Sequence, residues 1–145
     1  MTKFDNAVRL AAVVPDAQLD PAAHEAAIDS PRAGAHAVFC GVVRDHDRGR
    51  DVAELEYVGH PSAERALREI ADEIAAHPDV LAVAVSHRVG RLQVGDVALV
   101  AAVASAHRRV AFEQCARLVD EVKARLPIWK RQVFRDGADE WVGCP

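Results

Sequence analysis

Two lysines, Lys123 and Lys130, have the clearest capacity for chemistry in this chain of 145 residues. The chain holds only three lysines against fifteen arginines, so where a bare positive charge is needed it uses arginine. Lysine does what arginine cannot: it can lose its proton when desolvated, attack a carbonyl or form an amide. Lys123 adjoins Val122 at the border of an apolar helical seam, where partial desolvation is expected. Lys130 follows in Pro127-Ile128-Trp129-Lys130. The proline and tryptophan there would direct the chain so that both amines could face one cleft. Two ordinary surface lysines would leave the same pattern.

A second group is anionic in its preference. His107-Arg108 falls where a strand hands over to a helix, and the outward N–H groups and dipole of a helix start favour anions. With Arg109 it could form a phosphate or carboxylate pocket. A capped helix with a solvated basic face fits equally well. Arg44 ends the apolar run Val38-Phe39-Cys40-Gly41-Val42-Val43 and opens a charged stretch, a common position for a ligand contact and equally for a plain surface arginine. His46, between Asp45 and Asp47, could touch a metal, but a solvated loop explains it better. The seven histidines lack metal-ligand spacing, and no glycine-rich phosphate loop or nucleophile-elbow motif occurs.

Composition narrows the classes. Net charge is −4, which argues against nucleic acid as a partner. Yet His107 to Arg135 carries eight Arg and Lys against Glu113, Asp120 and Glu121, a local +5 suited to a small anion. Cys40, Cys115 and Cys144 are odd in number and widely spaced, so they read as unpaired thiols rather than a disulfide or zinc framework. No apolar run reaches the roughly 20 residues needed to span a bilayer. Met1–Asn6 lacks the layout of a secretory leader, so a cytoplasmic protein is expected, with no membrane partner. The length suits one domain, 1–145.

The elements that must position these residues follow from periodicity and punctuation. Arg9 to Val14 reads as a strand ended by Pro15-Asp16. Asp20-Pro21 reads as an N-cap opening a helix to about Ile28. Ala35 to Val43 is expected as a buried strand, Arg44 to Asp51 as a mobile loop and Val52 to Val58 as a strand. Pro61 to His77 carries Ala63, Ala66, Leu67, Ile70, Ala71 and Ile74 at helical spacing. Val80 to Val89 and Val97 to Ser105 are strands with a turn at Gly90 and Gly95. A second long helix runs from about Arg109 to Leu126, with Phe112, Cys115, Val119, Val122 and Leu126 as its apolar seam. Short strands at Trp129 to Phe134 and Glu140 to Val142 flank Asp136-Gly137. Strands and helices do not alternate strictly, so the class is α+β rather than a doubly wound parallel sheet.

Taken together, the stretches Phe39-Cys40-Gly41-Val42-Val43-Arg44, His87-Arg88-Val89-Gly90, Ser105-Ala106-His107-Arg108 with Ala111-Phe112, Lys123 through Pro127-Ile128-Trp129-Lys130, and Asp136-Gly137 with Trp141-Val142 resemble the large, catalytic subunit family of molybdopterin synthase. They fall in that family's order from about residue 34 to 142. The resemblance implies an α/β hammerhead-type fold with an additional small antiparallel sheet. It implies a homodimer at the centre of a heterotetramer, and a small ubiquitin-like sulfur-carrier partner ending in a Gly-Gly thiocarboxylate. The implied activity is a sulfurtransferase acting on cyclic pyranopterin monophosphate to form the molybdopterin dithiolene, with no metal or prosthetic group. By resemblance, Lys123 is the main catalytic residue and Lys130 assists and binds substrate. His107, Arg108 and Arg44 form the anion pocket, lined by Val42 and Val43, with Arg131 and Gln132 nearby.

Two departures stand out. Gln132 occupies a position where the family usually has Glu, which puts an acid role there in doubt. The segment Val58-Gly59-His60-Pro61-Ser62 is one residue shorter than usual and lacks the family's acidic, aromatic and Met pattern. Two other readings compete with the enzyme: a non-catalytic module binding a phosphorylated small molecule, and a structural subunit that recognises another protein's C-terminus. Neither needs the lysine pair.

Overall fold

A computed structural model describes residues 7–143. Met1–Asn6, expected not to form a leader, and Cys144, expected as an unpaired thiol, lie outside these residues. The order among the described residues is β1 (Ala7–Pro15), α1 (Pro21–Ala27), β2 (Ala35–Val42), β3 (His46–Asp47), β4 (Arg50–Gly59), α2 (Ala63–Ala75), β5 (Val80–Gln93), β6 (Val97–Ser105), α3 (Arg108–Arg125), β7 (Ile128–Phe134) and β8 (Asp139–Val142). This is the mixed, largely antiparallel α+β architecture expected, with a second, smaller sheet.

The two alanine- and valine-rich strands explain the layering. Side chains alternate across a strand, so Val83 and Val85 of β5, with Leu99, Ala101 and Val103 of β6, face α2 and α3. Ala82, Ala84, Ala102 and Ala104 face the other way, where Ile28 at the end of α1 is fully buried. The larger sheet runs β2-β6-β5-β1, antiparallel except for the parallel pair β1 and β5. The smaller sheet joins the end of β5 to β4, β7 and β8. Its core is Val43, Val52, Leu55, Leu92, Ala98 and Phe134.

Local chemistry holds the helices in place. Asp20 caps α1, its Oδ1 accepting from the Ala22 N–H at 3.0 Å, with Pro21 at the first helical position. Buried His24 donates from Nδ1 to the Asp20 carbonyl at 2.7 Å and accepts from the Ser86 hydroxyl at Nε2, 2.8 Å, which ties α1 to β5. Arg125 forks onto Glu73 at 2.7 and 2.8 Å and so joins α3 to α2.

The structure corrects four expectations. β2 is an edge strand, not a buried one, with Val38, Phe39 and Val42 exposed. The seam of α3 is Ala111, Cys115, Leu118 and Val122, while Phe112 is 68% exposed and Val119 is only partly buried. The stripe 111-115-118-122 keeps one helical face, and residue 112 lies about 100° away from it. The stretch Arg44 to Asp51 is an ordered hairpin. Arg48 and Gly49 both have positive φ, the requirement of a two-residue turn whose twist matches its strands. The Arg50 guanidinium also stacks on Phe134, 3.7 Å from the ring centroid. Finally, Gly90 sits inside β5, and only Gly95 serves the following turn.

At Gly90, β5 leaves the β1 ladder and enters the smaller sheet, opposite Tyr57. Its φ of +99° suits glycine, and a Cβ there would overlap the Asp16 carboxylate. Gly90→Ala is expected to cost about 1–3 kcal/mol in urea unfolding. Asp16→Ala in the same background should recover only part, because the backbone cost remains. Stability of Gly90→Ala equal to that of the unsubstituted chain would show that the crossing does not need glycine.

Candidate active site

The seam between the two sheets opens into a cavity of about 340 Å3. Each wall is set by local structure. At the end of β2 the register slips between Gly41 and Val42. The chain then leaves the sheet edge, with the Val43 N–H donating to the Asp96 carbonyl at 2.9 Å and the Gly95 N–H donating to the Val43 carbonyl at 2.8 Å. This buries Val43 and projects Arg44 toward the cavity. Arg44 is 68% exposed and its guanidinium lies 3.4 Å from the Asp47 carboxylate on the hairpin.

Lys123 stands on the last turn of α3. Leu126 and Pro127 end that helix, the Leu126 N–H still donating to the Val122 carbonyl. Ile128 then starts β7 beside β4, so Lys130 comes to lie opposite Tyr57. Two of the three lysines in the chain thus reach one cavity from different elements. Lys123 is exposed rather than partly desolvated as expected, because nothing within this chain covers that turn of α3.

Val42, Val43, Arg44, Lys123, Lys130 and Gln132 all line this cavity. Arg131 does not. Strand alternation turns it to the opposite face from Lys130 and Gln132, where it binds Asp139 at 2.7 Å and Glu56 at 3.6 Å. His107 and Arg108 are also elsewhere. They line a separate hollow with Arg109, Phe112 and Glu113 at the start of α3. The three-part anion pocket of Arg44, His107 and Arg108 is therefore not assembled within one chain.

The cavity also holds residues not singled out from the sequence, chiefly His87, Tyr57 and Asp47. Alternation along β4 and β7 could have found Tyr57, but nothing in the sequence brings Asp47 to Gln132. His87 is 8% exposed and meets the Tyr57 ring edge-on, centroids 4.9 Å apart. Its Nδ1 lies 2.8 Å from the Arg88 carbonyl, which can only accept, so Nδ1 carries the proton. In the neutral ring Nε2 is then the acceptor. Burial first, and the nearby Lys123 charge with it, lower its pKa to about 4.

The arrangement suits a small, multiply anionic ligand. Arg44, Lys123 and Lys130 converge against one carboxylate, Asp47, while His87 remains an uncharged acceptor. Cys40 lines the same cavity, whereas Cys115 is buried with its thiol pushed up to about 11. Among the described residues no group of three or more His, Cys, Asp or Glu is arranged to hold a metal ion. His46 pairs with Asp45 at 2.9 Å and Asp47 engages Gln132 instead. No helix among them is long and apolar enough to cross a membrane.

Comparison with known proteins points in one direction. A family profile described as MoaE protein matches residues 14–125. The molybdopterin synthase catalytic subunit of Aspergillus niger is 36% identical over 124 residues, covering 85% of this chain and 69% of the fungal protein. The protein of that name from Nostoc sp. is 40% identical over 121 residues, covering 82% of this chain and 73% of its own length. In three dimensions, the crystal structure of molybdopterin synthase from Staphylococcus aureus superimposes with a TM-score of 0.83 at 31% identity, covering 93% of this chain and 97% of the other.

The depressed pKa of His87 has a thermodynamic consequence. Its ordinary value is 6.5 and its folded value about 4, so the unfolded chain binds a proton that the folded chain refuses. Above about pH 6.5 His87 does not affect stability. As pH falls from 6.5 toward 4 the folded state loses stability, by up to about 3 kcal/mol, and the loss levels off below 4. His87→Phe, which keeps a ring against Tyr57, should flatten this part of the pH–stability curve in urea titrations. A curve of unchanged slope would sink the assignment.

Proposed function

This chain belongs to the MoaE protein family, and we propose that it is the catalytic subunit of a molybdopterin synthase. In this reading it transfers sulfur from the C-terminal thiocarboxylate of a small ubiquitin-like carrier to cyclic pyranopterin monophosphate. The observation that carries it is the meeting of Lys123 and Lys130 with Arg44 on one cavity in a chain that otherwise writes arginine.

The chemistry asks for what these residues offer. The thiocarboxylate sulfur attacks a carbon of the substrate, which leaves the carrier joined to it as an acyl-sulfur adduct. Water then cleaves the acyl–sulfur bond, freeing the carrier carboxylate and leaving sulfur on the substrate. A second loaded carrier delivers the second sulfur. Lys123, at the rim, meets the carrier terminus, moves protons and stabilises the oxyanion that develops during hydrolysis. An entering Gly-Gly tail would cover this exposed amine and supply the desolvation that the chain alone does not. Lys130, on the floor, assists and binds substrate. Arg44 neutralises the substrate phosphate.

His107 and Arg108 enter through a second copy. An apolar groove follows the open edge of β2 and the outer face of α3, past Val38, Phe39, Phe112 and Val119. Phe39 also lines the cavity, and Phe112 also lines the hollow of His107 and Arg108. The groove therefore joins the two. A two-fold axis across it would bring the His107–Arg108 end of one copy to the cavity of the other, completing the anion pocket in a homodimer.

Two experiments test this. Purified protein mixed with a thiocarboxylated carrier and cyclic pyranopterin monophosphate should form dithiolene product. Lys123→Ala should lower turnover about 10²–10⁴-fold while retaining both ligands. Binding of both ligands without product from the unsubstituted protein would instead favour a binding module. For the shared pocket, Lys123→Ala and Arg108→Ala chains should each be inactive but regain activity when mixed, since one site of the mixed dimer is then fully native. No recovery despite subunit exchange would place the pocket within one chain.

A further inference from the structure

We propose that Gln132 is a positioning residue: its side-chain amide, donating to both Asp47 and Glu140, holds Asp47 at the cavity as the counter-ion of Arg44 and Lys130. The inference deepens the sulfur-transfer reading and rests on it for its catalytic consequence.

Gln132 is 3% exposed on the cavity floor. Its Nε2 lies 2.9 Å from Asp47 Oδ2 on the hairpin and 3.3 Å from Glu140 Oε1 on β8, its partner in the strand register. Both neighbours are carboxylates, which when ionised only accept. The orientation of the amide is therefore dictated by its surroundings, and its two N–H bonds serve the two anions. A carboxylate at position 132 would have no proton to offer either one. Three carboxylates would then crowd one buried site, and one would have to take up a proton.

The amide reaches the site through Asp47. The hydrogen bond from Gln132, followed by the charges of Lys130, Arg48 and Arg44, holds the Asp47 carboxyl below the usual carboxylate range. Ionised Asp47 in turn sits 3.4 Å from the Arg44 guanidinium. Gln132 thus connects β8 and the floor of the cavity to the hairpin that orients the phosphate-binding arginine. Other titratable groups surround the cluster. His46 stands beside Asp47 on the hairpin and Tyr57 on β4, while His87 on β5 and Lys123 on α3 face the same cavity. The departure at Gln132 is on this view a working part of an Asp47–Gln132–Glu140 set, and not a lost acid.

The test exchanges the two partners. Gln132→Glu should raise KM for cyclic pyranopterin monophosphate about tenfold near neutral pH. It should change kcat less, and part of the KM should return as pH is lowered and the carboxylate cluster takes up a proton. Adding Asp47→Asn restores one amide and one carboxylate with the donor reversed, because an amide at position 47 can donate to a carboxylate at position 132 and still accept from Arg44. The double variant should therefore recover the KM and pH profile of the unsubstituted protein, and its Tm. Gln132→Glu with unchanged KM and pH profile, or a double variant no better than the single, overturns the inference. If Gln132→Glu does not fold, the double variant carries the test: folding with native KM supports the pairing, and failure refutes it. The unsubstituted protein runs alongside. If it makes no product, the sulfur-transfer reading fails, while the pairing is still decided by whether Asp47→Asn restores the Tm and its pH dependence.

Discussion

A single strand belongs to both sheets of this fold, and the candidate site exists because of how it passes between them. The first part of β5 is paired on one side by β6 and on the other by β1, with valines beneath the helices and alanines beneath α1. Its last residues instead pair with β4, at the centre of the smaller sheet. Strands twist, so one strand shared by two sheets leaves a wedge where their faces diverge. Here the wedge is floored by Lys130 and Gln132 of β7, closed on one side by the end of β2 and overlooked by the last turn of α3. Gly90 marks the crossing, because the positive φ at that point is hostile to a Cβ.

Electrostatics in that wedge are arranged around an excess of positive charge. Three cationic side chains facing one another are costly unless anions or solvent offset them. The chain supplies one carboxylate, Asp47, and leaves the remaining positive charge to be met by a ligand. It also avoids adding to that charge. His87, beside Lys123, is kept neutral by burial, with its proton committed to a backbone carbonyl. The same low exposure that makes His87 a poor base makes it a reliable acceptor at neutral pH.

The open edge of β2 and the exposed Phe112 belong to the same functional picture. An uncovered apolar groove next to a bare strand edge is a liability for a lone subunit. In the proposed dimer it becomes the surface that carries a second set of basic residues toward the cavity. On that reading, burial of Phe39 and Phe112 and completion of the anion pocket are one event.

Much of this was legible in the residue order. The scarcity of lysine marked Lys123 and Lys130 before any geometry was known. Proline, glycine and the 3.6- and 2-residue periods located the elements, because these signals are local and need only a few neighbouring residues to act. Local signals also suffice for the cap at Asp20 and for the strand-to-helix handover at His107. What the order of residues could not decide was who faces whom. Alternation separates Arg131 from Lys130 and Gln132 once the strand is known, yet which face meets the cavity depends on β4 and β8 beside it. The exposure of β2 depends on its being last in the sheet, and the neutrality of His87 on elements far away in sequence. The contact between Asp47 and Gln132 spans 85 positions and is created by the hairpin folding back on β7. Sequence alone sets periodicity, punctuation and an unusual choice of residue type. Pairing, burial and charge compensation are set by the tertiary structure, since each is a property of two distant surfaces meeting and of neither one alone.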